Sequence, residues 1–177
     1  GGHDAYLPAL TALATLALQT HAPERHAAAI TRAATALQRL QVADGSFGGA
    51  SGAVLYNHAF ATHALLRLNA ARPFPAGDSR RTALDRAIAF SRRAQNRAGG
   101  WDYTADGPGN TALSVWQISL LAEARAQGRP DDGGHLRRGL AWLRGQAGDD
   151  GAFGYRRPGV PPPGRDSVTL TAMAAAT

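Results

Sequence analysis

Tyr56, Asn57, His58 and His63 crowd one short stretch of the sequence. Tyr, Asn and His side chains together can hold a substrate and abstract a proton from it. His58 and His63 are five residues apart, about 140° around a helix, which is poor for joint metal ligation. Each also has a purely structural role open to it: Asn57 as a helix cap, and the histidines in packing between helices or lining an interior. Trp116 and Gln117 stand near the middle of a later apolar stretch and are candidates to line a ligand-binding lumen. Anchoring a core is the competing role for Trp116. Asp102 and Asp106, in GGWDYTADGPGN, could hold calcium with loop carbonyls, but the EF-hand spacing is absent and turn chemistry accounts for both. The pairs Asp131–Asp132 and Asp149–Asp150 read as turn acids and caps. No metal and no cofactor is expected.

Composition narrows the classes. The chain has 177 residues, no cysteine and a net charge of +6. Lack of cysteine rules out disulfides, thiolate metal sites and a Cys nucleophile within this sequence. All 19 basic residues are Arg, spread along the chain in short pairs rather than one basic run. With abundant Ala, Gly and Pro, this reads as compositional bias, and no nucleic-acid partner is expected. No run of 18 apolar residues occurs, so no membrane span is expected. The sequence opens on GGHDAYLPAL, without Met or a basic n-region, and is read as cut from within a longer protein.

Helical periodicity positions these residues. Helices are predicted over 5–20, 24–41, 57–70, 79–96, 110–127, 132–147 and 167–177, with no period-2 run for a strand. Asp4, Asn57, Asn110 and Asp166 each open a helix as Asx caps, with separations of 53, 53 and 56 residues. The repeating unit is therefore a helical hairpin of about 53 residues, with repeats at 4–56, 57–109 and 110–165 and a fourth beginning at 166–177. One hairpin cannot bury its apolar face alone, so neighbours must stack.

A second element recurs with the same period. It comprises Gln41, Gly45 and Phe47, then Gln95, Gly99 and Trp101, then Gln146, Gly151 and Phe153. A basic residue precedes each Gln by nine positions, at Arg32, Arg86 and Arg137. The expected device is a clip. The Gln amide in the last helical turn reaches backbone groups left unpaired at the helix end, the Gly takes a backbone angle other residues avoid, and the ring covers its own helix end. This pattern resembles the QW motif of the squalene–hopene and oxidosqualene cyclases, and the broader prenyltransferase and squalene-oxidase repeat. The third unit looks most like uncharacterised bacterial proteins carrying that repeat.

The resemblance implies an all-α fold, a partial α/α toroid. The helices opening at Asp4, Asn57, Asn110 and Asp166 would be inner and the Arg-bearing helices outer. Its partners would be an apolar or isoprenoid small molecule and the remaining toroid repeats of a longer parent chain. A triterpene cyclase needs an Asp-x-Asp-Asp acid, which this sequence lacks, and a protein prenyltransferase needs a Cys for zinc. The sequence thus reads as a terpenoid-cyclase-like repeat domain without catalysis of its own, serving as a scaffold or a binder of hydrophobic ligands. A cyclase whose acid lies outside residues 1–177 is the alternative. A second alternative is a carbohydrate-active enzyme of toroid fold, because some toroid lyases use Asn, His, Tyr and Arg.

Overall fold

The computed structural model describes residues 4–48, 54–104, 107–155 and 168–175. Among these the fold is all-helical: a short 3₁₀ turn at Asp4–Tyr6, then α1 (Leu7–Thr20), α2 (Ala27–Leu40), α3 (Val54–Ala71), α4 (Ser79–Arg93), α5 (Thr111–Ala126), α6 (His135–Arg144) and α7 (Val168–Ala175). The chain forms two compact units, Gly1–Ser91 and Arg92–Thr177.

In the first unit α1 packs on α3 and α2. Pro8 lies in the first turn of α1, where a missing N–H leaves no helical bond unmade. Helix α2 is one-faced: Ile30, Ala34 and Leu37 are buried, at the spacing of one helical stripe. Helix α4 buries Ala83, Leu84, Ala87, Ile88 and Ser91 in the same way. Helix α3 is buried through most of Leu55–Leu66, its polar Asn57, His58, Thr62 and His63 included.

The second unit is arranged around α5, which packs on α6 and α7. Asn110 caps α5, its side-chain oxygen accepting from the Leu113 N–H at 3.1 Å. The helix stops at Gly128, whose φ of +78° allows the Arg129 N–H to reach the Ala124 carbonyl and its own N–H to reach Arg125. Asp131 caps α6, accepting from the N–H groups of His135 and Leu136 at 3.0 and 2.8 Å, which is the cap role expected of the Asp131–Asp132 pair.

Of the four Asx caps, only Asn110 is seen in that role. Helix α3 begins at Val54, so Asn57 sits inside its first turn and donates instead to the Ala5 carbonyl at 2.6 Å. Asp4 belongs to the 3₁₀ turn, and α1 starts at Leu7 with no side-chain cap. Asp166 lies outside the described residues.

Candidate functional site

The loops after α2, α4 and α6 share one hydrogen-bonded form. In the first, the Val42 N–H bonds the Ser46 carbonyl and the Gly45 N–H bonds Val42; in the second, Asn96 pairs with Gly100 and Gly99 with Asn96; in the third, Gly148 pairs with Ala152 and Gly151 with Gly148. The glycines at 45, 99 and 151 have φ of +90°, +104° and +78°, values that exclude most side chains.

Two of these loops are locked onto a following helix. Gln41 is the residue after α2 rather than part of its last turn. Its Nε2 donates to the Gly45 carbonyl at 3.0 Å and to the Ala83 carbonyl of α4 at 2.8 Å. Gln95 repeats this, donating to Gly99 at 2.8 Å and to the His135 carbonyl of α6 at 2.8 Å. The amide therefore spans two elements and does not serve its own helix end as the sequence suggested, because the donors point across the loop to the next helix. A Cβ on Gly45 would lie 2.6 Å from the Arg86 carbonyl oxygen, and one on Gly99 would lie 2.6 Å from that of Arg138. Only glycine admits this approach. The Arg86 guanidinium then closes over the first loop, donating to the Val42 and Ala43 carbonyls at 2.9 Å each. In the second clip Arg138 donates to the Gln95 side-chain oxygen at 2.9 Å and lies 2.9 Å from His135 Nδ1. Partial burial, then the Arg138 charge, pushes the His135 pKa down.

The rings of Phe47 and Trp101 reach the neighbouring helices α3 and α6. Phe47 is fully buried and stacks on His58, with centroids 5.8 Å apart. Trp101 is fully buried against Gly139 of α6, where an added Cβ would meet its ring at 3.1 Å.

The third copy is shifted. Ala147 pairs with Phe153 as Gln41 pairs with Phe47, so Ala147, not Gln146, holds the clip position. Gln146 is buried, its Nε2 directed at the Trp142 carbonyl over a long 3.4 Å and its Oε1 without a partner among the described residues. The signal was present in the spacing: Gln to aromatic is six residues at 41–47 and 95–101 but seven at 146–153.

The candidate chemical residues fall into different surroundings. His58 is wholly buried between the rings of Phe47 and Phe90, 4.6 Å from the latter's centroid, with Nε2 2.9 Å from the Ser91 Oγ and 3.4 Å from the Thr62 Oγ1. Burial lowers its pKa from 6.5 to about 3, overcoming the opposing pull of a hydrogen bond at Ala87. The Ser91–His58 pair has the reach of a nucleophile and base. Both residues are 0 % exposed, however, and the imidazole binds protons too weakly to serve as a base near neutrality. His58 is thus a packing residue between α3 and α4. Ser91 and Thr62, its polar partners, carried no signal in the sequence.

His63 is buried at 9 % exposure and Gln117 at 0 %, while Tyr56 and Trp116 are half-buried. Asp102 is spent on its own loop, accepting from the N–H groups of Tyr103 at 2.8 Å and Gly109 at 3.2 Å. Asp106 lies outside the described residues. No cluster of three or more His, Asp or Glu side chains with metal-site geometry occurs among the described residues, and none of the helices described is long and apolar enough to cross a membrane.

Comparison with known proteins assigns no family: no family model matches the sequence, and no curated protein matches it.

Proposed function

We propose that this chain is a terpenoid-cyclase-like α/α-toroid repeat segment that works as a scaffold and binder of apolar ligands rather than as a catalyst. The observation that carries the reading is the clip made twice, by Gln41 on α4 and by Gln95 on α6, with matched bonds and matched close approaches at Gly45 and Gly99. A joint that recurs about every 53 residues is what stacking of helical hairpins requires. Helices α2, α4 and α6 each bury one stripe, as outer helices do, whereas α3 and α5 are buried on several faces. Helix α1, the first inner helix in this scheme, leaves Leu7, Leu10 and Leu13 exposed beside Tyr6. Such an apolar stripe suits an isoprenoid chain better than a sugar.

The test is to incubate the chain with squalene, geranylgeraniol and geranylgeranyl diphosphate, following binding by calorimetry and products by gas chromatography–mass spectrometry. Saturable binding of geranylgeraniol, lost in Leu10→Asp and Leu13→Asp, with no cyclised product, supports the reading. Cyclised product moves the protein to the isomerases, and absence of any saturable binding removes the ligand-binding part.

A further inference from the structure

Where α1 turns into α2 and α3 turns toward α4, the helices leave a cavity of about 450 Å³, within the size range of small-molecule sites. Its cause is local. Ala27, Ala34 and Ala71 stand on its lining and are too small to fill the gap between their helices. Pro73 and Pro75 follow the end of α3, which they cannot continue. Phe74, between them, folds back as a wall of the cavity and is only 7 % exposed. That wall is fixed from two sides. The Phe74 N–H donates to the Asn69 Oδ1 at 3.1 Å, and the Arg80 guanidinium lies 4.9 Å from the Phe74 ring centroid while pairing with Asp78.

The lining is amphipathic. Ile30, Ala34, Leu68 and Phe74 make it apolar, and Ile30, Ala34 and Phe74 are buried. Arg80 is neutralised by Asp78. Arg72 is not: it lines the cavity with an exposed side chain, and its guanidinium makes no hydrogen bond or ion pair among the described residues. Gln19 adds an unmet polar group, its side-chain oxygen buried with no hydrogen-bond partner among the described residues. A half-turn of that amide offers N–H groups to a ligand oxygen instead.

We infer that this cavity binds a medium-chain carboxylate, its alkyl chain over Ile30, Leu68 and Phe74 and its head group on Arg72. Charge complementarity selects the head and the apolar lining selects the tail. An inorganic anion gains nothing from Ile30 and Phe74, and a neutral alkane leaves the Arg72 charge unmatched. Every lining residue falls between positions 19 and 80, inside the first compact unit. None of Leu7, Leu10 and Leu13 of α1 lines it, so the inference stands if no isoprenoid binds that exposed stripe.

Calorimetric titration of the whole chain with octanoate and decanoate, below micelle-forming concentrations, tests it. The expected result is saturable single-site binding that tightens roughly tenfold from octanoate to decanoate, as two more methylenes are buried. Decanol should bind about fivefold more weakly than decanoate, the size of a partly exposed charge pair. Arg72→Gln should erase that difference and leave decanol binding as it was. Ala71→Trp fills the cavity from an exposed position and should abolish binding of both, with helicity checked by circular dichroism. Leu10→Asp should change neither, which separates this site from the α1 stripe. Absence of saturable decanoate binding overturns the inference. So does decanol binding as tightly as decanoate, or undiminished binding to folded Ala71→Trp, which would place the ligand elsewhere.

Discussion

Acid should loosen this protein through His58. His58 is neutral in the fold with a pKa lowered to about 3, whereas in the unfolded chain its imidazole titrates at about 6.5. Below that value the unfolded state binds a proton that the native state refuses, so stability falls as pH drops from 6.5 toward 3. At pH 5.0 the gap is about 1.5 pH units, or about 2 kcal/mol at 1.36 kcal/mol per unit. That is a large fraction of the stability of a small domain. The structural cause is plain: the ring lies buried between Phe47 and Phe90 with a hydroxyl, not a carboxylate, at 2.9 Å, and the hydrogen bond at Ala87 and the Asp44 charge do not offset the cost of burying a positive charge there. The assay is urea unfolding at pH 7.5 and 5.0 for wild type and His58→Gln. The variant starts from lower stability because it loses ring packing, but it should lose about 2 kcal/mol less between the two pH values. Equal losses in both proteins would show that His58 is solvated or already paired, and the reasoning from burial would fail.

Gln95→Leu removes both clip bonds and leaves the Gly99 and His135 carbonyls short of a donor, so thermal melts should show a loss of about 1–3 kcal/mol. Gln146→Leu, off the clip register, should cost clearly less in the same assay. Gly99→Val meets the Arg138 carbonyl at 2.6 Å in addition to its φ of +104°, so it should be more destabilising than Gly151→Val, which carries only backbone strain of about 1–2 kcal/mol. Equal losses for the two glycine variants would argue against the close approach. Trp101→Ala empties a fully buried site against Gly139 and should lower stability by about 3–5 kcal/mol in urea unfolding.

Much of the secondary structure was readable because its causes are local. Apolar spacing marks α2, α4 and α6, and Asn110 followed by a run ending at Gly128 brackets α5. Boundaries were less secure. Asn57 looks like a cap, yet α3 starts at Val54, because tertiary burial of the first turn and a bond to Ala5 decide its role. The third clip position falls at Ala147 rather than at Gln146, because the backbone keeps the six-residue spacing to the ring whatever the residue type.

The sequence alone determines that the chain is helical, that its loops turn on glycines at 45, 99 and 151, and that an aromatic ring follows each by two residues. These depend on periodicity and on backbone angles, which are properties of short segments. Only the tertiary structure decides what Gln41 and Gln95 bind, since their carbonyl acceptors on Ala83 and His135 lie 42 and 40 residues away. The chemistry of His58 is decided there too: the residue type permits a base, but a pKa depends on the surrounding dielectric, and that exists only once Phe47, Phe90 and Ser91 have closed around the ring.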